Sequence, residues 1–298
     1  MLFDVSTAVT EQLHDELFIE KGISVSVLRL DRIHPVISGN KLFKLHYFLE
    51  EAIRSAHRTI VTFGGAYSNH LAATAYACGA LGLKSIGIVR GEESATLSHT
   101  LLQCIKDGMQ LKFISRTAYA AAATSPSLPG EHGECLVIPE GGYHPMGARG
   151  AALIMNLVDT SHTHICTALG TATTLAGLAL HAKPHQQLIG IPVVKGMNDL
   201  DERIKELTGF TTMPAAVECW TGYHFGGYAK KNEALIHFIN QCWQQYRLPL
   251  DFVYTAKMFY AVTDQVKKNH FPPGSRILCL HTGGLQGNGS LPPNTLAF

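Results

Sequence analysis

The sequence predicts an α/β protein whose parallel sheets are covered by helices on both faces. Three observations carry this. Short β-rich runs alternate with helical spacing along most of the chain, glycines punctuate the strand ends, and no internal repeat is present. Of 298 residues, 46% are hydrophobic and 16% charged, which excludes a disordered chain and fits two domains or one large α/β unit. Lys plus Arg is 24 against 23 for Asp plus Glu, a net charge of +1. That balance lacks the basic excess that binding nucleic-acid phosphates requires, so an anionic group must be met by particular residues.

The first predicted strand is Ser24 to Leu30. A helix follows over Asn40 to Ala56, with Leu42, Leu45, Phe48, Leu49, Ala52 and Ile53 at helical spacing. Thr59 to Gly65 reads as a strand ending in glycines, and Ser68 to Gly82 as a small-residue helix that opens on the N-capping types Ser68 and Asn69. Strand Lys84 to Gly91, helix Thr100 to Gly108 and strand Gln110 to Ser115 come next. Thr117 to Gly130, TAYAAAATSPSLPG, is expected to be a mobile loop or a connection at a domain edge. A βαβ unit then runs through His162 to Leu169, Thr173 to Ala182 and Gln187 to Val194. Helices are predicted over Asp199 to Gly209 and Glu233 to Tyr246, and a buried strand over Arg276 to Gly284.

The seven cysteines form no C-x-x-C pair and are odd in number, which reads as reduced thiols in a cytosolic protein. The N-terminus lacks a basic region and is not expected to be a signal peptide. Thr59 to Leu83 is free of Asp, Glu, Lys and Arg and long enough to cross a bilayer. Gly64, Gly65, Ser68, Asn69 and His70 interrupt it, so it reads as strand, turn and helix. A cytoplasmic, soluble protein is expected.

Four junctions carry unusual chemistry. In SGNKLFKL, the turn Ser38, Gly39 and Asn40 feeds a helix with Lys41 and Lys44 three residues apart on one face. Two cations in a first turn oppose the helix dipole, so an anion or a covalent bond to one amine is expected there; two exposed lysines are the plain alternative. In TFGGAYSNH, Tyr67, Ser68, Asn69 and His70 crowd a helix start behind two glycines, more polar side chains than capping needs. In ALGTATTLAGL, Gly170, Thr171, Ala172, Thr173 and Thr174 could surround a phosphate at a helix N-terminus, although neither a Walker nor a dinucleotide pattern is present. Taken alone, this junction reads more readily as an ordinary capped start. HTGG follows the last strand, VYTAKMFY supplies Tyr254 and Thr255, and HFGGY supplies Tyr228. His162, His164 and Cys166 alternate as metal ligands on one strand face do, but no carboxylate accompanies them and they read as structural.

Together these junctions resemble a known family. GNKxxKL at Gly39 to Leu45, GGxxSNH at Gly64 to His70, VYTxK at Val253 to Lys257 and HTGG at His281 to Gly284 occur in the family's order. The sequence resembles the 1-aminocyclopropane-1-carboxylate deaminase / D-cysteine desulfhydrase family of pyridoxal-phosphate (PLP) enzymes, of the tryptophan-synthase β fold type, from about Leu28 to Gly284. The resemblance implies two αβα domains with mostly parallel twisted sheets and the site in the cleft between them. The larger domain would comprise 1–44 plus 151–298, the smaller 45–150. A homodimer acting on a small amino acid is implied, with no nucleic-acid or membrane partner.

By the same resemblance, Lys41 would hold PLP covalently and Lys44 would reach its phosphate. Asn69 would bond the ring 3-hydroxyl, Ser68 would meet the substrate carboxylate, and Gly170 to Thr174 would cradle the phosphate. Tyr254 would lie against the ring, Tyr228 near the substrate, and Thr255 or Thr282 at the ring nitrogen. Three departures from the family are visible. Phe43 stands where arginine is common, Thr171 to Thr173 replace glycine and serine, and Arg116 to Gly130 is shortened and alanine-rich. A glutamate follows the active-site tyrosine in the cyclopropane deaminases, whereas Thr255 follows Tyr254 here. A neutral hydroxyl makes a weaker electron sink, so elimination from D-cysteine is the expected reaction. Cyclopropane ring opening is the alternative, and a catalytically silent binding protein is the alternative of another class.

Overall fold

The computed structural model describes residues 1–37, 39–55, 57–124, 135–212 and 215–298. In chain order its elements are β1 (Thr10–Leu13), α1 (Glu16–Glu20), β2 (Ser24–Arg29), α2 (Asn40–Arg54), β3 (Thr59–Gly64), α3 (Asn69–Ala80), β4 (Lys84–Arg90), α4 (His99–Lys106) and β5 (Met109–Ile114). There follow α5 (Arg116–Thr124), β6 (Cys135–Ile138), α6 (Pro145–Ala152), β7 (His164–Leu169), α7 (Thr173–His181), β8 (Gln187–Pro192), α8 (Leu200–Thr208), β9 (Ala216–Cys219), α9 (Glu233–Tyr246), α10 (Thr255–Lys267) and β10 (Arg276–His281).

The strands form two sheets, in the orders β1-β2-β10-β7-β8-β9 and β5-β4-β3-β6. The four-stranded sheet is parallel throughout, and in the six-stranded sheet β1 alone runs antiparallel to its neighbour. This is the mixed α/β fold, with parallel sheets in two domains, that the alternation of periods predicts. The central strands β3, β7, β8 and β10 are buried along almost their whole length, hence their near-continuous apolar sequences. Residues 44 and 150 lie inside α2 and α6, and these two helices pack on one another and on α7.

That packing is unusually close. A Cβ on Gly147 would fall 2.0 Å from the Gly142 carbonyl oxygen, one on Gly150 2.1 Å from that of Phe43, and one on Gly177 2.5 Å from that of Ala148. Three helices therefore touch backbone to backbone behind the candidate site.

The alanine-rich segment expected to be a loop is in part helical. Residues 117–124 belong to α5, since alanine has the best helix propensity, while 125–130 lie outside the described residues. The VYT run leads into a helix: Tyr254 precedes α10 and Thr255 opens it. His162 precedes β7, its ring facing the Asp159 carbonyl, and so does not share a strand face with His164 and Cys166. All seven cysteines are free thiols. Among the described residues, no helix is long and apolar enough to cross a membrane.

Candidate active site

The carboxyl ends of parallel strands from both sheets converge on a cavity of about 510 Å³. Gly65 follows β3, Arg90 ends β4, Leu169 ends β7, Val194 follows β8 and Thr282 follows β10. In parallel α/β sheets this is where ligands bind, because turns and helix N-termini meet there. Lys41, Lys44, Ser68, Asn69, Gly170, Thr171, Ala172, Thr174, Tyr228, Tyr254 and Thr282 all line it.

Helix α2 brings the two lysines in. Its start is fixed by Gly39 at φ 69°, where a Cβ would lie 1.9 Å from the Thr282 carbonyl oxygen, so only glycine lets the HTGG turn approach. Ser38, the other turn residue, lies outside the described residues. Lys41 Nζ donates to Asn40 Oδ1 at 2.8 Å, and Lys44 Nζ to the Gly141 carbonyl at 3.1 Å. Burial pushes Lys41 down to about 8, opposed by the Asp251 carboxylate. Burial, and then the neighbouring charge of Lys41, hold Lys44 well below the ordinary lysine range.

Helix α3 presents Ser68, Asn69 and His70. Ser68 Oγ caps the helix by accepting the Leu71 N–H at 3.3 Å, which leaves its own proton free to donate. Thr62 Oγ1 gives its single proton to the Ile138 carbonyl at 2.8 Å, so His70 Nε2 must donate to Thr62 at 2.9 Å. His70 Nδ1 is therefore a bare acceptor. Burial, then the charges of Lys41 and Lys44, pushes His70 down to about 3, so the ring is neutral.

Opposite the lysines, α7 starts at Thr173 without any side-chain cap, its first turn offering backbone N–H groups. Ala172 takes a left-handed conformation there, φ 65°. The Tyr254 ring lies 5.8 Å from Lys41 Nζ and meets the half-exposed Tyr228 ring edge to face at 6.1 Å.

Comparison with known proteins agrees with this geometry. The family described as "Pyridoxal-phosphate dependent enzyme" matches residues 15–283. The chain belongs to that family. A Pyrococcus abyssi protein named "Putative 1-aminocyclopropane-1-carboxylate deaminase" is 31% identical over 289 residues, covering 90% of this chain and 86% of its own. The D-cysteine desulfhydrase of Salmonella choleraesuis is 27% identical and covers 86% of both. The crystal structure of an "ACC deaminase homologue" matches with a TM-score of 0.80 at 28% identity, covering 97% of this chain and 92% of that one.

PLP is the cofactor of this family, and the residues present fit it. A lysine with a lowered pKa, a second cation and an uncapped helix start suit an aldehyde and a phosphate. Asn69 Oδ1 and His70 Nδ1 are buried without partners among the described residues, as polar groups awaiting a ligand are.

Two residues expected at the site are not brought to it. Thr255 does not line the cavity; its hydroxyl is buried and donates to Asp251 Oδ1 at 2.7 Å, because it serves the start of α10. The Thr173 side chain likewise does not line the cavity; its hydroxyl lies 2.8 Å from that of Thr171, which does. Phe43, in the arginine position, is fully buried in the core. Sequence reasoning missed Asp251, Arg90 and Glu140, which line the cavity. Asp251 is fully buried and accepts the N–H groups of Val253, Tyr254 and Thr255 as well as the Thr255 hydroxyl. Aspartate is a residue type that accepts backbone N–H groups two to four positions further on in a turn, and its place just ahead of the VYT run is the signal that could have found it.

Proposed function

We propose that this PLP-dependent enzyme catalyses α,β-elimination from a small amino acid, D-cysteine foremost, releasing pyruvate, ammonia and sulfide. The observation that carries the reading is the polar environment beside Tyr254. The residue after Tyr254 is a buried threonine, and Thr282 offers a neutral hydroxyl to the cavity. Both oxygens of Asp251, the carboxylate nearest in sequence, already accept four donors.

Bound PLP supplies an electron sink for the substrate α-carbon. Lys41 would hold the cofactor, and its amine, which burial pushes down to about 8, would be the group that moves the α-proton. Lys44 and the start of α7 bind the phosphate, and Asn69 orients the ring. Ser68 Oγ donates to the substrate carboxylate. Burial pushes the phenols of Tyr254 and Tyr228 up, so both keep their protons; Tyr254 donates to Tyr228, whose own O–H is the donor toward a departing sulfur. A neutral partner at the ring nitrogen favours rapid loss of a β-substituent over prolonged stabilisation of a carbanion.

The names of the relatives keep cyclopropane ring opening as the second reading. A panel of D- and L-cysteine, D- and L-serine and 1-aminocyclopropane-1-carboxylate, assayed for α-keto acid and sulfide, separates them. Pyruvate with sulfide from D-cysteine is expected; 2-oxobutanoate from the cyclopropane, with no pyruvate from any other compound, overturns it.

A further inference from the structure

Lys257, in the first turn of α10, does not line the cavity, yet its side chain is completely buried. Its Nζ donates to the carbonyl oxygens of His224 at 2.9 Å and Gly227 at 2.8 Å. These two oxygens already close successive turns, accepting Gly227 N–H at 3.0 Å and Lys230 N–H at 3.1 Å. The ammonium thus joins two turns that meet at Gly227, and Tyr228 is the next residue. The segment cannot hold this shape cheaply. Phe225, Gly226, Gly227 and Ala229 have φ of 51°, 93°, 123° and 53°, so two side-chain-bearing residues sit in the left-handed region.

We propose that Lys257 is a positioning residue, clamping the strained 224–230 segment so that Tyr228 is presented to the substrate end of the cavity. This rests on the reading of Tyr228 as a substrate-facing residue. A buried ammonium is expensive and is kept where it does something a neutral group does not. Burial pushes Lys257 down to about 8, while the Asp251 carboxylate favours its charged form. The same aspartate accepts the N–H groups of Tyr254 and Thr255, and Tyr254 meets the Tyr228 ring, so both tyrosines are referred to the start of α10. The Lys257 ammonium spends its hydrogen bonds on the 224–230 segment and not on the partners of Lys41 and Lys44, so the clamp is expected to act on substrate more than on the cofactor.

The test uses the PLP-loaded protein with Lys257→Met, which keeps an unbranched side chain one atom shorter and removes its donors, and Lys257→Gln, which keeps two N–H donors. Amide hydrogen exchange is followed at 224–230 alongside steady-state kinetics and PLP absorbance. In Lys257→Met, exchange in that segment should rise at least tenfold and KM about tenfold, with PLP absorbance unchanged. Lys257→Gln should recover part of both effects. Adding Lys257→Met to Tyr228→Ala should lower kcat/KM no further. Unchanged exchange at 224–230, a rise spread over the whole molecule, or multiplicative losses in the double variant would overturn the clamp. If exchange responds as expected but the wild-type protein turns over no amino acid, the clamp stands and the functional reading fails.

Discussion

Asn40 Nδ2 donates to Thr174 Oγ1 across 2.7 Å, tying the helix that carries both lysines to the helix that starts at the phosphate-type turn. Both groups are buried. Asn40 also accepts from Lys41, so one side chain fixes the amine relative to the turn. Replacing Asn40 with leucine leaves a buried hydroxyl short of a donor, at a cost of about 1–3 kcal/mol. The expected outcome is a PLP dissociation constant raised about tenfold in an absorbance titration; unchanged affinity would separate the two helices functionally.

The roles of the two lysines differ. Lys41→Ala should remove the absorbance of covalently held PLP, its fixation by borohydride, and all turnover. Lys44→Ala should retain borohydride fixation but bind PLP at least tenfold more weakly, through the loss of a charge-assisted contact to phosphate. The reverse pattern would exchange the assignments.

The lowered lysines give the PLP-free protein a distinctive pH dependence. Lys41 titrates near 8 when folded and near 10.5 when unfolded. Between those values the unfolded chain binds the proton and the folded one does not, so stability rises with pH. Below about 8 both states hold it, and the full cost of burial is borne. Urea midpoints should therefore increase from pH 7.5 to pH 9.5 relative to a Lys41→Met variant. Parallel slopes would mean that the Lys41 pKa is not lowered by folding.

Ala172 has φ 65° at the start of α7. A left-handed alanine costs roughly 1–2 kcal/mol, and glycine's extra freedom in the unfolded chain cancels part of any relief. Ala172→Gly should stabilise the protein by about 0.5 kcal/mol in chemical denaturation, with PLP affinity unreduced. A destabilised variant would show that the methyl group makes up for its strain by packing.

With Thr255 committed to Asp251, Thr282 is the one of the two candidate threonines that lines the cavity, and we propose it as the partner of the ring nitrogen. Thr282→Glu should favour a protonated ring and so raise α-hydrogen exchange with deuterated solvent relative to pyruvate release. An unchanged ratio in a folded, PLP-loaded variant would remove the physical basis for preferring elimination.

Much of this was legible in the sequence, and the failures have particular causes. β3 and α3 were readable because a buried strand, two glycines and a serine cap follow one another without interruption. The lysines stood out because two cations in a first turn need an explanation. The four-residue strands β1, β6 and β9 lie at sheet edges, too short to show a period. Helix α6 was hidden by Gly147 and Gly150, which lower its propensity but permit its packing. The choice between Thr255 and Thr282 is not legible in the sequence, because adjacency to Tyr254 says nothing about facing: Thr255, one residue further along a helix start, turns its hydroxyl to Asp251. Arg90 and Glu140 come from separate strand ends that only the tertiary fold unites.

The backbone-to-backbone contact of α2, α6 and α7 sets which parts of this enzyme are open to evolutionary change. Any side chain added at Gly147, Gly150 or Gly177 collides with a carbonyl oxygen, so the wall behind the cofactor is closed to gradual variation. Tyr67 and Tyr228, which also line the cavity, are each about half exposed, and their side chains do not meet backbone as the three glycine positions do. New substrate preferences can therefore be explored residue by residue at the mouth while cofactor capture is inherited intact, and a mutational library confined to the mouth should retain PLP in most of its members.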